Sequence, residues 1–345
     1  MATERLKHID VIRGLCIFSV VYGHIVLFGG GNDYPYTFIH IFMNSFFLIA
    51  FFFISGFLSY KENVIWNICL LKNHLIKNVK RLLIPSVSVM SVYCLVKEGN
   101  LNSMLSPWNL WVTWFTYVLF LINIVYGLVV FLATKFSKKK IFLAMSIIAF
   151  MNTSYILSRY GIEWGVLGKV FKIDAFTYYL PFFFLGILCK MYYVWFKRLV
   201  DNDTIFLFIL IVAFLVQVLN VKVPLIFSSL SVVYIIWSIS DKFVNFTIDK
   251  FPFQDYLMEG LTVLGKYSIE IYFVHFILLF TIPSYVWEYI NSMNDDCCWW
   301  NNSSASFVEF VILCPITCLI AYVSIILSSL LKKSEYLGLI LFGRC

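Results

Sequence analysis

Asp10-Val-Ile-Arg13-Gly14-Leu-Cys-Ile-Phe-Ser-Val-Val-Tyr-Gly-His24 decides the reading of this chain. It lies in an apolar run over residues 9 to 29, about the ~20 residues an α-helix needs to cross the hydrocarbon of a bilayer. Within that run stand three ionisable side chains, which lipid tolerates only where they face partners or a water-filled cavity. Further apolar runs recur near residues 36 to 59, 82 to 97, 110 to 134, 141 to 157, 176 to 196, 204 to 220, 223 to 240, 266 to 287 and 306 to 331. The expected fold class is an all-α polytopic membrane protein with about ten transmembrane helices.

Composition agrees. The 345 residues are 61% hydrophobic and 13% charged, about half the ~25% charged share of soluble domains, which excludes an ordinary soluble enzyme. Ten spans with short loops leave no room for a second, soluble domain, so residues 1–345 are expected to form a single integral-membrane domain. The first run follows Arg5, Lys7 and His8 and continues without a small-residue cleavage site, so it is expected to persist as the first span. With the amino terminus inside, twenty of the 26 basic residues fall on the cytoplasmic side, which predicts both termini there. Spread over loops in this way, the net charge of +7 is no nucleic-acid footprint. Most of the nine cysteines lie in or beside apolar runs as small hydrophobes, Cys297 and Cys298 are adjacent, and no Cys/His spacing suggests a metal. No internal repeat of the transporter kind is evident.

Arg13 and His24 are eleven residues apart, almost three whole turns and about 16 Å of rise, so both face the same way. Asp10 lies one turn before Arg13, placed to pair with and orient its guanidinium. The result is a polar stripe with an anion binder near the cytoplasmic surface and a titratable imidazole toward the middle. A structural reading fits the same residues: Arg13 snorkelling to the interface, His24 bonding a neighbouring helix. The ninth run repeats the pattern. Ser268, Tyr272 and His275 stand at i, i+4 and i+7, with Glu270 off that stripe, either as interhelical hydrogen-bonding groups or as the other wall of a shared cavity. A third element, Lys77-Asn-Val-Lys80-Arg81-Leu-Leu-Ile-Pro85, gathers three cations on one face if the helix extends back from Pro85. It is a candidate for a bound phosphate, although positive-inside topology alone would also place cations here.

The run Arg5 to His24, with Asp10, Arg13-Gly14 and the R-x10-H spacing, resembles the signature of the acyltransferase-3 family of integral-membrane O-acyltransferases. Phe51-Phe-Phe-Ile-Ser55-Gly56-Phe57-Leu58 resembles that family's FFxxSGFL motif, and Lys77 to Pro85 its basic segment. Gly265-Lys-Tyr-Ser268-Ile-Glu-Ile-Tyr272-Phe-Val-His275 is similar to its late GxxSxxIYxxH motif. There are departures. Lys77, Lys80 and Arg81 stand where the family often has an Arg-x-x-Arg pair, and Phe47 and Ile49 stand where fucose-acetylase-like members place His and Pro. The SGNH-type domain of some relatives is not expected here.

The resemblance implies an acyl-CoA donor, most simply acetyl-CoA, in the cytoplasm and a carbohydrate or lipid-linked glycan hydroxyl as acceptor, in a bacterial plasma membrane, with no permanently bound cofactor. On that footing Arg13, Lys77, Lys80 and Arg81 would hold the CoA phosphates, with Asp10 orienting Arg13. His24, whose ordinary pKa is about 6.5, would be the general base. Tyr272, Ser55 or His275 would stabilise the oxyanion, and Ser55, Ser268 and Glu270 would contact substrate. An acyl relay through an enzyme nucleophile is the second mechanism. Gly14 and Gly56 are expected to be close-packing sites. Trp108, Trp111 and Trp114 read as an interfacial belt, and residues 158–178 and 291–304 as covers for an acceptor site. The rival class is a polytopic transporter or flippase for a glycan or lipid intermediate, since intramembrane charges also mark transport paths. Release of free CoA thiol separates the two.

Overall fold

The computed structural model describes residues 6–29, 37–62, 64–102, 113–136, 140, 143–148, 151–153, 168, 172–218, 225–245, 252–280, 282–293 and 303–343. Among these residues the regular structure is helical throughout. That is what a bilayer demands, since a helix satisfies its own backbone hydrogen bonds. In chain order the helices are α1 (Lys7–Gly29), α2 (Phe38–Ser59), α3 (Ile68–Asn78), a π-helical turn (Val79–Leu83), α4 (Ile84–Glu98), α5 (Trp114–Ala133), α6 (Ile173–Met191) and α7 (Tyr193–Asp201). There follow α8 (Asp203–Val218), α9 (Leu225–Asn245), α10 (Pro252–Lys266), α11 (Ser268–Leu278), α12 (Ser284–Ser292), α13 (Ser303–Leu331) and α14 (Glu335–Phe342).

Among the described residues, six helices are long and apolar enough to cross a membrane: Lys7–Gly29, Ile39–Ser59, Ile68–Lys97, Trp114–Ala133, Ile173–Met191 and Ser304–Leu331. A bent pair, Gln254–Lys266 with Ser268–Leu278, makes a seventh if counted as one span. This is a multi-pass integral membrane protein. The runs expected near 204 to 220 and 223 to 240 form α8 and α9, and exposed Leu207, Phe208, Ile211 and Leu215 give α8 an apolar surface suited to lipid. Of the run near 141 to 157, residues 143–148 and 151–153 are described and helical; Trp108, Trp111 and most of the segments 158–178 and 291–304 lie outside the described residues.

Two differences from the expected spans have local causes. The ninth is not one helix over 266 to 287. The chain bends by 82° between α10 and α11, and α11 ends where Leu279 turns extended (ψ 136°), four residues before Pro283. The third span is longer than 82 to 97, because the helix does extend back through the basic segment to Ile68. Pro85 lacks an N–H, and its ring would strike the carbonyl of Arg81 in a regular α-helix. The π turn relieves that clash, with the Ile84 N–H reaching back to the Val79 carbonyl.

The chain divides into two compact units, Met1–Phe51 with Val194–Leu327, and Phe52–Tyr193 with Ser328–Cys345. In the first, α1 packs along α10 and against α9 and α11. Glycines make the closest approach possible. A Cβ on Gly14 would overlap the Leu261 backbone, and one on Gly265 the Asp10 backbone, so each helix supplies a gap for the other. Near the start of α1, His8 Nδ1 lies 3.5 Å from Asp241 Oδ1, and Lys197 donates to Asp241 Oδ2 at 2.5 Å and pairs with Asp201 at 2.8 Å. Burial works against the Lys197 charge, but hydrogen bonds to the two aspartates outweigh it and raise its pKa. At the other end of α1, Trp287 Nε1 donates to the Gly29 carbonyl at 2.8 Å.

The second unit uses the same device. A Cβ on Gly56 would overlap the Phe183 backbone and one on Gly186 the Phe53 backbone, locking α2 against α6. Gly14 and Gly56 are thus both close-packing sites. Aromatic side chains fill the rest: Phe52 stacks on Tyr179 at 4.6 Å, and the Tyr126 hydroxyl donates to the Ser59 carbonyl at 2.9 Å. His74 donates through Nε2 to the Asn123 carbonyl at 3.1 Å, which fastens α3 to α5.

Candidate functional site

The first unit brings together two stretches more than 250 residues apart in sequence, α1 and α11. Arg13 Nη2 donates to Ser268 Oγ at 2.8 Å, while Arg13 Nη1 lies 3.9 Å from Asp10 Oδ1. Asp10 and Ser268 are buried and Arg13 is half-buried. Further along, His24 Nδ1 lies 2.8 Å from His275 Nε2. Arg13 pairs with Ser268 and His24 with His275 in the same order, so the two helices run side by side in the same direction. Eleven residues on α1 match seven on α11, and the long reach of Arg13 helps to take up the difference.

The hydrogen bonds of the two imidazoles determine their tautomers. His275 Nδ1 is 2.9 Å from the Ile271 carbonyl, which can only accept, so that nitrogen carries the proton. In neutral His275, Nε2 is then the acceptor, and the proton in the His24–His275 bond belongs to His24 Nδ1. His24 Nε2 is left as a bare lone pair. The ring planes differ by 1° and the centroids are 5.1 Å apart, the sum of the N···N distance and two ring radii. The bond therefore lies in the common plane, where N–H and lone pair both point. Phe276 seals one flank, its centroid 4.7 Å from His24 and 4.1 Å from His275.

His275 engages both nitrogens, Nδ1 on the Ile271 carbonyl and Nε2 on His24, which leaves no N–H for an oxyanion. Tyr272 is buried with its ring 6.0 Å from that of His275. Glu270 is fully buried in the first turn of α11, where a carboxylate suits the positive end of the helix dipole. Ser55 belongs to the second unit, where its carbonyl accepts from Ser59 Oγ at 2.7 Å. Lys77, Lys80 and Arg81 also belong to the second unit. There they line a cavity of about 480 Å³ with Asn73, Ile76 and Gly343.

One intramembrane acid escaped the sequence reading. Glu309, in α13, is fully buried and accepts from the Tyr22 hydroxyl at 2.7 Å, with a second hydrogen bond to the Thr37 side chain. Two positions along a helix turn through about 200°, so Tyr22 anchors the flank of α1 opposite His24. The signal was present. Glu309 is the lone acid in an apolar run, the pattern that singled out Arg13 and His24.

A multi-pass helical protein that holds an imidazole pair and a half-buried guanidinium between two of its helices defines a membrane protein with a polar interior. The chain matches the Acyltransferase domain (acyltransferase-3) family over residues 6–326, nearly its whole length, and belongs to that family. It is therefore a membrane acyltransferase. No curated protein and no solved structure matches it significantly.

Proposed function

We propose that this protein transfers an acyl group, most simply acetyl, from cytoplasmic acyl-CoA to a hydroxyl of a cell-surface or lipid-linked glycan, and that His24 is the general base. In this reading the chain works as one domain of about ten spans in a bacterial plasma membrane, with both termini cytoplasmic. The observation that carries it is the hydrogen-bonded chain Ile271 carbonyl, His275, His24, which turns the His24 Nε2 lone pair away from its partner.

A thioester is already activated, so the barrier lies in deprotonating the hydroxyl and stabilising the tetrahedral oxyanion. His24 Nε2 takes the hydroxyl proton as the oxygen attacks the thioester carbonyl. The tetrahedral intermediate collapses with cleavage of the C–S bond, and the imidazolium returns the proton to the departing thiolate, giving ester and CoA thiol. His275 is a positioning residue that holds the productive tautomer. Tyr272 is the oxyanion donor. Arg13, steadied by Asp10 and Ser268, faces the anionic donor, and Lys77, Lys80 and Arg81 take its phosphates. Ser55, Ser268 and Glu270 contact substrate.

The test is release of CoA thiol from acetyl-CoA by the purified chain in lipid vesicles, with mass spectrometry of glycans from cells with and without it. Acceptor-dependent thiol release and a gain of about 42 Da on the glycan are expected from acyl transfer. Glycans of identical mass, with no thiol released, would overturn the reading.

A further inference from the structure

The cavity in the second unit has a composite wall. Asn73, Ile76 and Lys77 come from α3, and Lys80 and Arg81 from the π turn, but Gly343 comes from the C-terminal turn after α14. That turn lies beyond residues 6–326, the stretch that the family match covers. Its docking is specific. Gly343 is left-handed (φ 64°), and a Cβ there would overlap the Lys80 carbonyl and the Arg81 Cα. The contact needs a glycine for both its conformation and its closeness.

The elements around the turn hold it in place. Ser334 caps α14 by accepting from the Leu337 N–H, Phe342 is buried, and the Lys332 ammonium sits 5.2 Å from the Phe342 ring centroid. The Gly343 N–H bonds the Leu339 carbonyl at 2.9 Å. On the other side, the π turn that Pro85 imposes presents the Lys80–Arg81 backbone on which Gly343 rests.

We propose that the turn at Gly343 completes a phosphate-binding cavity, supplying the wall that faces Lys77, Lys80 and Arg81 and setting its width. Three cations, with no acid among the described lining residues, suit the oxygens of a phosphate ester, and about 480 Å³ is the size of a small-molecule site. Two sources carry that chemistry: the nucleotide end of an acyl-CoA, or an anionic phospholipid headgroup. The first assignment rests on the acyl-transfer reading above; the phosphate cavity itself does not.

The experiment uses the full chain in phosphatidylcholine nanodiscs, titrated with adenosine 3′,5′-bisphosphate. A second arm uses discs containing phosphatidylglycerol, with lipid retention read by native mass spectrometry. We expect Lys80→Gln to raise the Kd for the bisphosphate by about tenfold, the loss of one charge-assisted contact, and Gly343→Val to raise it by about as much by displacing the Lys80–Arg81 backbone. Lys80 is exposed, so Lys80→Gln reports on the site even where Gly343→Val does not fold. Retention of phosphatidylglycerol in place of the bisphosphate, lost in both variants, would support the same cavity with a lipid occupant. Unchanged affinity for both probes in Lys80→Gln overturns the cavity. Weakening in Lys80→Gln but not in a folded Gly343→Val overturns the part assigned to the C-terminal turn. Bisphosphate binding without thiol release from acetyl-CoA would instead strike the proposed function and leave the cavity standing.

Discussion

The two units close a helix crossing in the same way and put it to different use. Gly14 and Gly265 bring α1 onto α10, and Gly56 and Gly186 bring α2 onto α6, each pair exchanging a missing side chain for a backbone contact. Around the second crossing the neighbours are aromatic, with Phe52 on Tyr179 and Phe183 near Tyr126. Around the first they are Asp10, Arg13 and Ser268, with the His24–His275 pair further along. Close packing is thus a general means of association in lipid, where no hydrophobic effect drives helices together. The two crossings differ in the side chains that flank them, polar and ionisable at the first and aromatic at the second.

The sharpest way to break this comparison is His24→Ala. Acyl transfer is expected to fall about 10²–10⁴-fold, the worth of a general base. Wild-type transfer by this variant in vesicles would remove His24 from the chemistry. Next come substitutions at the crossings. Gly265→Ala and Gly186→Ala each force a Cβ into backbone and are expected to lower stability by about 1–3 kcal/mol, read by thermal unfolding in detergent. Equal losses would confirm a shared device; a loss at one crossing alone would separate them.

Glu309→Ala strands the buried Tyr22 hydroxyl and is expected to destabilise by about 1–3 kcal/mol, whereas Glu309→Gln keeps an acceptor and most of the stability. Equal damage from both would show that charge, not the hydrogen bond, is what matters there. Gly260 is the internal control. It lies on α10 with Gly265, yet a Cβ there meets nothing within 4 Å, so Gly260→Ala is expected to stabilise by about 0.5–1 kcal/mol. Destabilisation instead would mean that this face of α10 is also packed.

The smallest effect belongs to the second unit. Lys140 donates a hydrogen bond to Glu62 and its charge adds to it, which holds the Glu62 carboxyl below its usual value of 4.5. A carboxyl whose pKa is lowered by folding stabilises above its unfolded pKa and loses that contribution as pH falls through the folded one. Glu62→Gln should therefore change the unfolding temperature slightly at pH 7 and not at pH 3. A difference that persists at pH 3 would show that the pair acts through packing.

Much of the site was legible before any fold was known. The phase of Arg13 and His24 follows from 3.6 residues per turn, and the Ser268, Tyr272, His275 stripe from the same rule. Glycines within apolar runs announced the crossings. The bend after Lys266 was not legible, because no proline stands at Tyr267. Nor did any spacing show that His275 would use one nitrogen on Ile271 and the other on His24.

By itself the sequence determined that this is a membrane protein of apolar helices, with rare polar residues on set helical faces. Periodicity and the cost of burying charge are local properties, readable along one chain. Tertiary structure alone decided which faces meet: Arg13 with Ser268, His24 with His275, Tyr22 with Glu309, and Gly343 with the π turn. Such pairings depend on helix crossings set by packing between distant segments, and through them the lone pair on His24 acquires a direction.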